Sequence, residues 1–123
     1  MARLRAARAF AVLVGAGLTL SACGTGAAVS HARAACVKVD AALALYAKSQ
    51  RPGITVDAKN ALAARAMSTL LAATPEAAAA TSADGSWNPL MTTIGEAQRV
   101  PISDLVASLT RLCAVANSSQ PYL

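Results

Sequence analysis

The most reactive side chains in this sequence are three thiols, Cys23, Cys36 and Cys113. A cysteine sulfur can carry a lipid, close a disulfide, ligate a metal or act as a nucleophile. No two of the three stand as Cys-x-x-Cys, the spacing of most redox-active pairs and of many zinc sites. The single histidine, His31, sits between Ser30 and Ala32-Arg33. General-base work needs an imidazole fixed by a partner in an ordered pocket. Nothing beside His31 supplies one, so it reads as a surface residue. The six acids (Asp40, Asp57, Glu76, Asp84, Glu96 and Asp104) are scattered. Capping and the helix dipole account for Asp57, Glu76 and Asp104 in expected first turns. No paired carboxylates of the glycosidase kind stand out. One histidine and no Asp-rich loop leave no metal site. Gly24-Thr25-Gly26 lacks the preceding strand and following lysine of a phosphate loop. The chain therefore reads as non-enzymatic, with no catalytic residue, metal or cofactor.

Two aromatic residues are candidates for binding. Trp87, the only tryptophan, follows a polar loop and precedes Asn88-Pro89. It either closes the end of a small bundle or lines a groove for a partner. Tyr46 has the same two readings, with its hydroxyl at the rim.

The elements that place these groups begin with the first two dozen residues. Arg3, Arg5 and Arg8 precede an apolar run from Ala9 to Leu20, and Ser21-Ala22-Cys23-Gly24 follows. The 14 uncharged residues from Ala9 to Ala22 would make a helix about 21 Å long. A bilayer core needs about 30 Å. Basic residues, a short apolar stretch and small residues make an export signal.

Leu20-Ser21-Ala22-Cys23 resembles the lipobox of bacterial membrane lipoproteins, Leu-(Ser/Ala)-(Ala/Gly)-Cys, at the end of a signal peptide. The resemblance covers only this stretch, and the remaining residues point to no specific family. It implies diacylglycerol on the Cys23 thiol, cleavage before Cys23 and an acylated (palmitate-type) N-terminus. Two or three acyl chains anchor stably where one is marginal. An ordinary secretory signal cut near Ala27 or Ala28, or an uncleaved N-terminal anchor, are the other readings of the segment. The alanine and arginine bias resembles the usage of a high-GC bacterium such as an actinobacterium.

Removing residues 1–22 changes the charge and cysteine arithmetic. The whole chain carries +5, but three arginines leave with the signal. Eight Lys or Arg against six Asp or Glu then give +2, with no basic block. No nucleic-acid partner is expected. If Cys23 carries lipid, Cys36 and Cys113 remain as a pair in an oxidising compartment.

The 101 residues from Cys23 onward suffice for one small domain. Its aromatics are Trp87, Tyr46 and Tyr122 alone, because Phe10 lies in the signal. A core of Ala, Leu, Val and Met suits closely packed helices better than sheets. The expectation is an all-α, four-helix-like bundle. Its parts are a signal peptide (1–22), a flexible glycine-containing tether (23–30), a helical domain (31–117) and a frayed tail (118–123).

Ser30 is the candidate cap of a first helix over His31–Ser49, with Cys36, Val39, Leu43, Tyr46 and Ala47 in one stripe widened by Ala42 and Leu45. Arg51-Pro52-Gly53 ends it. Thr55 or Asp57 caps a second helix over Val56–Ala73, with Ala58, Leu62, Ala66 or Met67, Leu70 and Leu71 inside. Thr74-Pro75-Glu76 starts a short alanine helix to Ala80, or marks a kink in the second helix. Thr81–Ser86 is a loop. Asn88 can cap a third helix over Pro89–Gln98, with Leu90, Met91 and Ile94 inside. Val100-Pro101 breaks it. A last helix, beginning at Pro101 or capped by Ser103, runs to about Val115 with Leu105, Leu109, Leu112 and Cys113 in its stripe.

Cys36 and Cys113 thus lie on the apolar stripes of the first and last helices. A bridge between them closes most of the domain into one loop. The chain-entropy model values that at about 4 kcal/mol.

Three functions compete. The first is a non-enzymatic envelope lipoprotein on the extracytoplasmic face of the cell membrane, with a domain that binds a protein or supports the envelope. The second is a carrier for a small apolar ligand, if the stripes part around a cavity. The third is an envelope enzyme or enzyme inhibitor, which a cleft with a perturbed acid would favour.

Overall fold

A computed structural model describes the backbone of residues 23–122 and the side chains of residues 26–122. The signal-peptide reading of 1–22 and the side chain of Cys23 lie outside the described residues. The fold is a small all-α, four-helix-like bundle. Its helical segments are α1 (Cys23–Ser49), α2 (Val56–Leu71), α3 (Thr74–Ala83), α4 (Asn88–Glu96) and α5 (Ile102–Asn117), with a 3₁₀ turn at Gly85–Trp87 before α4. α1 is the longest at 27 residues and packs against α2, α3 and α5, while α4 bridges α3 and α5.

Local signals fix most of the boundaries. Gly53 turns the chain after α1 with φ 77°, a conformation that costs glycine little. Thr55 caps α2 by accepting Ala58 N–H at 3.2 Å. α2 and α3 are separated only by Ala72 and Ala73, so the alternatives of a kink or a fresh start describe nearly the same geometry. Pro75 sits in the first turn of α3, where its missing N–H costs nothing. α3 continues to Ala83, a turn beyond the expected Ala80. Asn88 lies within α4 rather than capping it, and α4 ends at Glu96. Pro101 is the N-cap residue of α5, and Ser103 falls inside the helix.

One expected boundary is corrected. Residues 23–30 do not form a tether, because they are helical and Ser30 lies inside α1. The physical reason is burial. Ala28 and Ala32 have no exposed surface, and burying them favours a helix that the glycines alone would weaken. The expected register of α1 also shifts. Ala28, Ala32, Ala35, Cys36, Val39 and Ala42 are buried, Leu43, Leu45 and Tyr46 pack at the edge, and Ala47 is exposed. In α2, Ala66 and Leu70 are buried and Ala58 is exposed.

Cys36 and Cys113 form a disulfide with Cα atoms 5.5 Å apart, joining the first and last helices across 77 residues of sequence. Both cysteines are buried in the same core as Leu109 and Leu112. Ser49 is the single buried polar residue among those described. Its hydroxyl donates to Tyr46 O at 2.6 Å and accepts from Gln50 Nε2 at 2.9 Å, so burial leaves it fully partnered.

Candidate functional site

The described surface has one notable concavity, at the end of the bundle where α1 starts and the chain tail returns. It is an open groove of about 510 Å³ lined by Gly26, Val29, Ser30, Arg33, Ser119, Pro121 and Tyr122. The antiparallel packing of α1 and α5 creates it. Arg33 fastens its two walls together. Its Nε donates to Ala116 O at 2.8 Å and a terminal nitrogen donates to Ser118 O at 3.1 Å. Those carbonyls belong to the end of α5, which has no following turn to satisfy them and which a cation suits. Ser118 adds a hydrogen bond from its hydroxyl to Val115 O at 2.7 Å. The segment after Asn117 is therefore folded back against α1 rather than splayed away, and Tyr122 stands 70% exposed on the groove's rim.

Further along α1, His31 has the partner that its sequence neighbours do not supply. Its Nδ1 donates to Glu76 Oε2 at 2.7 Å, from 45 residues away, with both side chains partly exposed. Lys38 Nζ donates to Ala72 O at 3.0 Å. His31 and Lys38 thus tie α1 to α3 and to the α2–α3 junction. An acid orienting an imidazole is two-thirds of a hydrolytic triad. The missing third is a nucleophile: no described hydroxyl or thiol is hydrogen-bonded to His31. The pair's geometry is that of an interhelix clasp.

The remaining candidates separate. Trp87 is 1% exposed and sits in the core beside Leu90 and Ile94. Tyr46 is half-buried near the opposite end of α1. The two do not share a surface. Asp84 serves the backbone. Its Oδ1 accepts Ser86 N–H at 2.9 Å, and the backbone and side-chain hydrogen bonds from Ser86 hold its carboxyl below the usual range. Among the described residues no three His, Cys, Asp or Glu side chains gather as a metal site. No described helix is long and apolar enough to cross a membrane.

The groove was not anticipated from the residues. Apart from Arg33, its lining comes from two stretches that read as a tether and a frayed tail. The available signal is Arg33, a charged residue in an alanine-rich stretch whose side chain has polar groups to partner. No protein-family model, curated protein or solved structure matches this chain.

Proposed function

We propose that the chain is a non-enzymatic membrane lipoprotein of a bacterial cell envelope. Its lipid is carried on Cys23, and its helical domain faces the extracytoplasmic side, where it binds a protein or supports the envelope. The supporting observation is how the three cysteines sort. Cys36 and Cys113 are joined in the core, which leaves Cys23 as the one cysteine outside the bridge, at the lipobox position. A structural disulfide in a small domain also suits an exported protein. The carrier alternative draws no support from the groove, whose lining mixes Ser30, Arg33 and Ser119 with its apolar residues.

The test is intact mass and fractionation of the protein made in a bacterium with a lipoprotein-processing pathway. The expected product starts at Cys23, carries a diacylglyceryl mass and sediments with membranes. Cys23→Ala should abolish that mass and release or mislocalise the chain. A Cys23→Ala product that is processed and membrane-bound just as the parent is would end the lipoprotein reading.

A further inference from the structure

The groove at the α1 end of the bundle is a membrane-contact surface, we infer, with the bilayer's headgroup layer as its occupant. The inference rests on the lipoprotein reading. If lipid is attached at Cys23, that residue is already part of helix α1, so no flexible spacer separates the anchor from the domain. Gly26, at the groove, is one helical turn from Cys23, a rise of about 4.5 Å. The headgroup layer is about 5–7 Å thick on each side of the hydrocarbon. The start of the groove thus falls at headgroup depth. Position 23 also shares a helical face with three groove residues, because 23, 26, 30 and 33 follow the three-four-three spacing of one stripe.

The chemistry of the lining agrees with that depth. Arg33 is the only charged residue among the described residues of the lining. It lies about 15 Å along α1 from Cys23, above that layer, so its charge attracts an anionic surface from a distance rather than ligating phosphates. Tyr122, mostly exposed beside Pro121, offers the amphipathic ring that concentrates at membrane interfaces. Neither of the other two large exposed apolar residues, Val37 and Val56, belongs to the groove. Arg33 ties the start of the tail to α1 at Ala116 and Ser118, four residues before Tyr122.

The experiment uses the full chain bearing Tyr122→Trp, purified from bacterial membranes. It is reconstituted into phosphatidylglycerol vesicles with or without bromine high on the acyl chains. Bromine quenches only at short range. Trp87, buried in the core, serves as the internal reference, and the parent chain fixes its contribution. The emission added by the tryptophan at 122 is expected to fall at least twofold in brominated vesicles while the Trp87 emission holds. If the mass shows lipid on Cys23 and the added emission is the same in both vesicles, the membrane-contact surface is refuted and the lipoprotein reading stands. If the mass shows no lipid, both fall together.

Discussion

On α1 and α3 the buried positions are mostly alanine: Ala28, Ala32, Ala35 and Ala42 on α1, Ala77 and Ala80 on α3, with Ala73 just before it. Across the bundle, the 3₁₀ turn, α4 and α5 bury Trp87, Leu90, Ile94, Ile102, Leu105, Leu109 and Leu112. Both regions are dry, yet they reach that state differently. Alanine gives each residue little area to bury, so its contribution comes from letting helix backbones approach closely. It also loses no side-chain entropy on folding. The large residues contribute more apolar area each, at about 25 cal/mol per Å², and must fit one another's shapes. The first region should tolerate loss of volume and resist gain. The second should resist loss of volume and tolerate changes that conserve it. The Cys36–Cys113 bridge crosses from one region to the other.

Breaking that link should have the largest effect. Cys36→Ala with Cys113→Ala is expected to lower stability by about 4 kcal/mol, the value for constraining a loop of this length in the unfolded chain. For a small domain that is a large share of the total. Urea unfolding of the double variant and of the reduced parent should give the same lowered midpoint. A midpoint equal to that of the oxidised parent would show that the two regions hold together without the bridge.

Volume changes sharpen the contrast at the next scale. Leu109→Ala, at a site with no exposed surface, should cost about 3 kcal/mol through lost transfer energy and a residual cavity. Leu109→Met, which nearly conserves volume, should cost less than about 1.5 kcal/mol. At Ala32, also fully buried, the order inverts. Ala32→Gly should cost about 1 kcal/mol, mostly backbone entropy, whereas Ala32→Leu forces α1 away from its neighbours and should cost about 1–3 kcal/mol or more. Chemical denaturation of the four variants decides it. Equal tolerance of Ala32→Leu and Ala32→Gly would mean that the alanine contact is loose.

The same contrast explains what could be read from residues alone. In α5 the large residues are on one side and polar or small ones on the other, so Leu105, Leu109, Leu112 and Cys113 could be placed in the core. With Cys36 on the first helix, that placement also paired the sulfurs that the fold joins. α1 gave no such contrast, because alanine is neutral to burial and occurs on every side of it. Periodicity alone therefore runs its buried face through Ala47, which is exposed, and leaves residues 23–30 looking like a tether although they are helical. Ser49 was missed because a hydroxyl satisfied by its own helix looks, in sequence, like any C-terminal serine. The groove and the His31–Glu76 clasp depend on residues far apart in the chain, for which neither periodicity nor capping rules give a signal.

The smallest expected effect concerns how the large-residue region receives its tryptophan. Asp84 ends α3 and, through Ser86 N–H, shapes the turn that delivers Trp87 to the core. Its carboxyl titrates below the usual value when folded, so the folded state favours the ionised form. Its contribution is present above the unfolded-state value of about 4 and disappears as pH falls through the lower folded-state value. Because the group is partly exposed to solvent, the contribution is small and salt-screened. Asp84→Asn keeps a side-chain oxygen to accept from Ser86 but cannot ionise. Its stability should therefore match the parent's at the acid end of that window and fall slightly below it at neutral pH. Parallel pH–stability curves for parent and variant would show that Trp87 is seated by its packing neighbours, with the charge on Asp84 irrelevant to the turn.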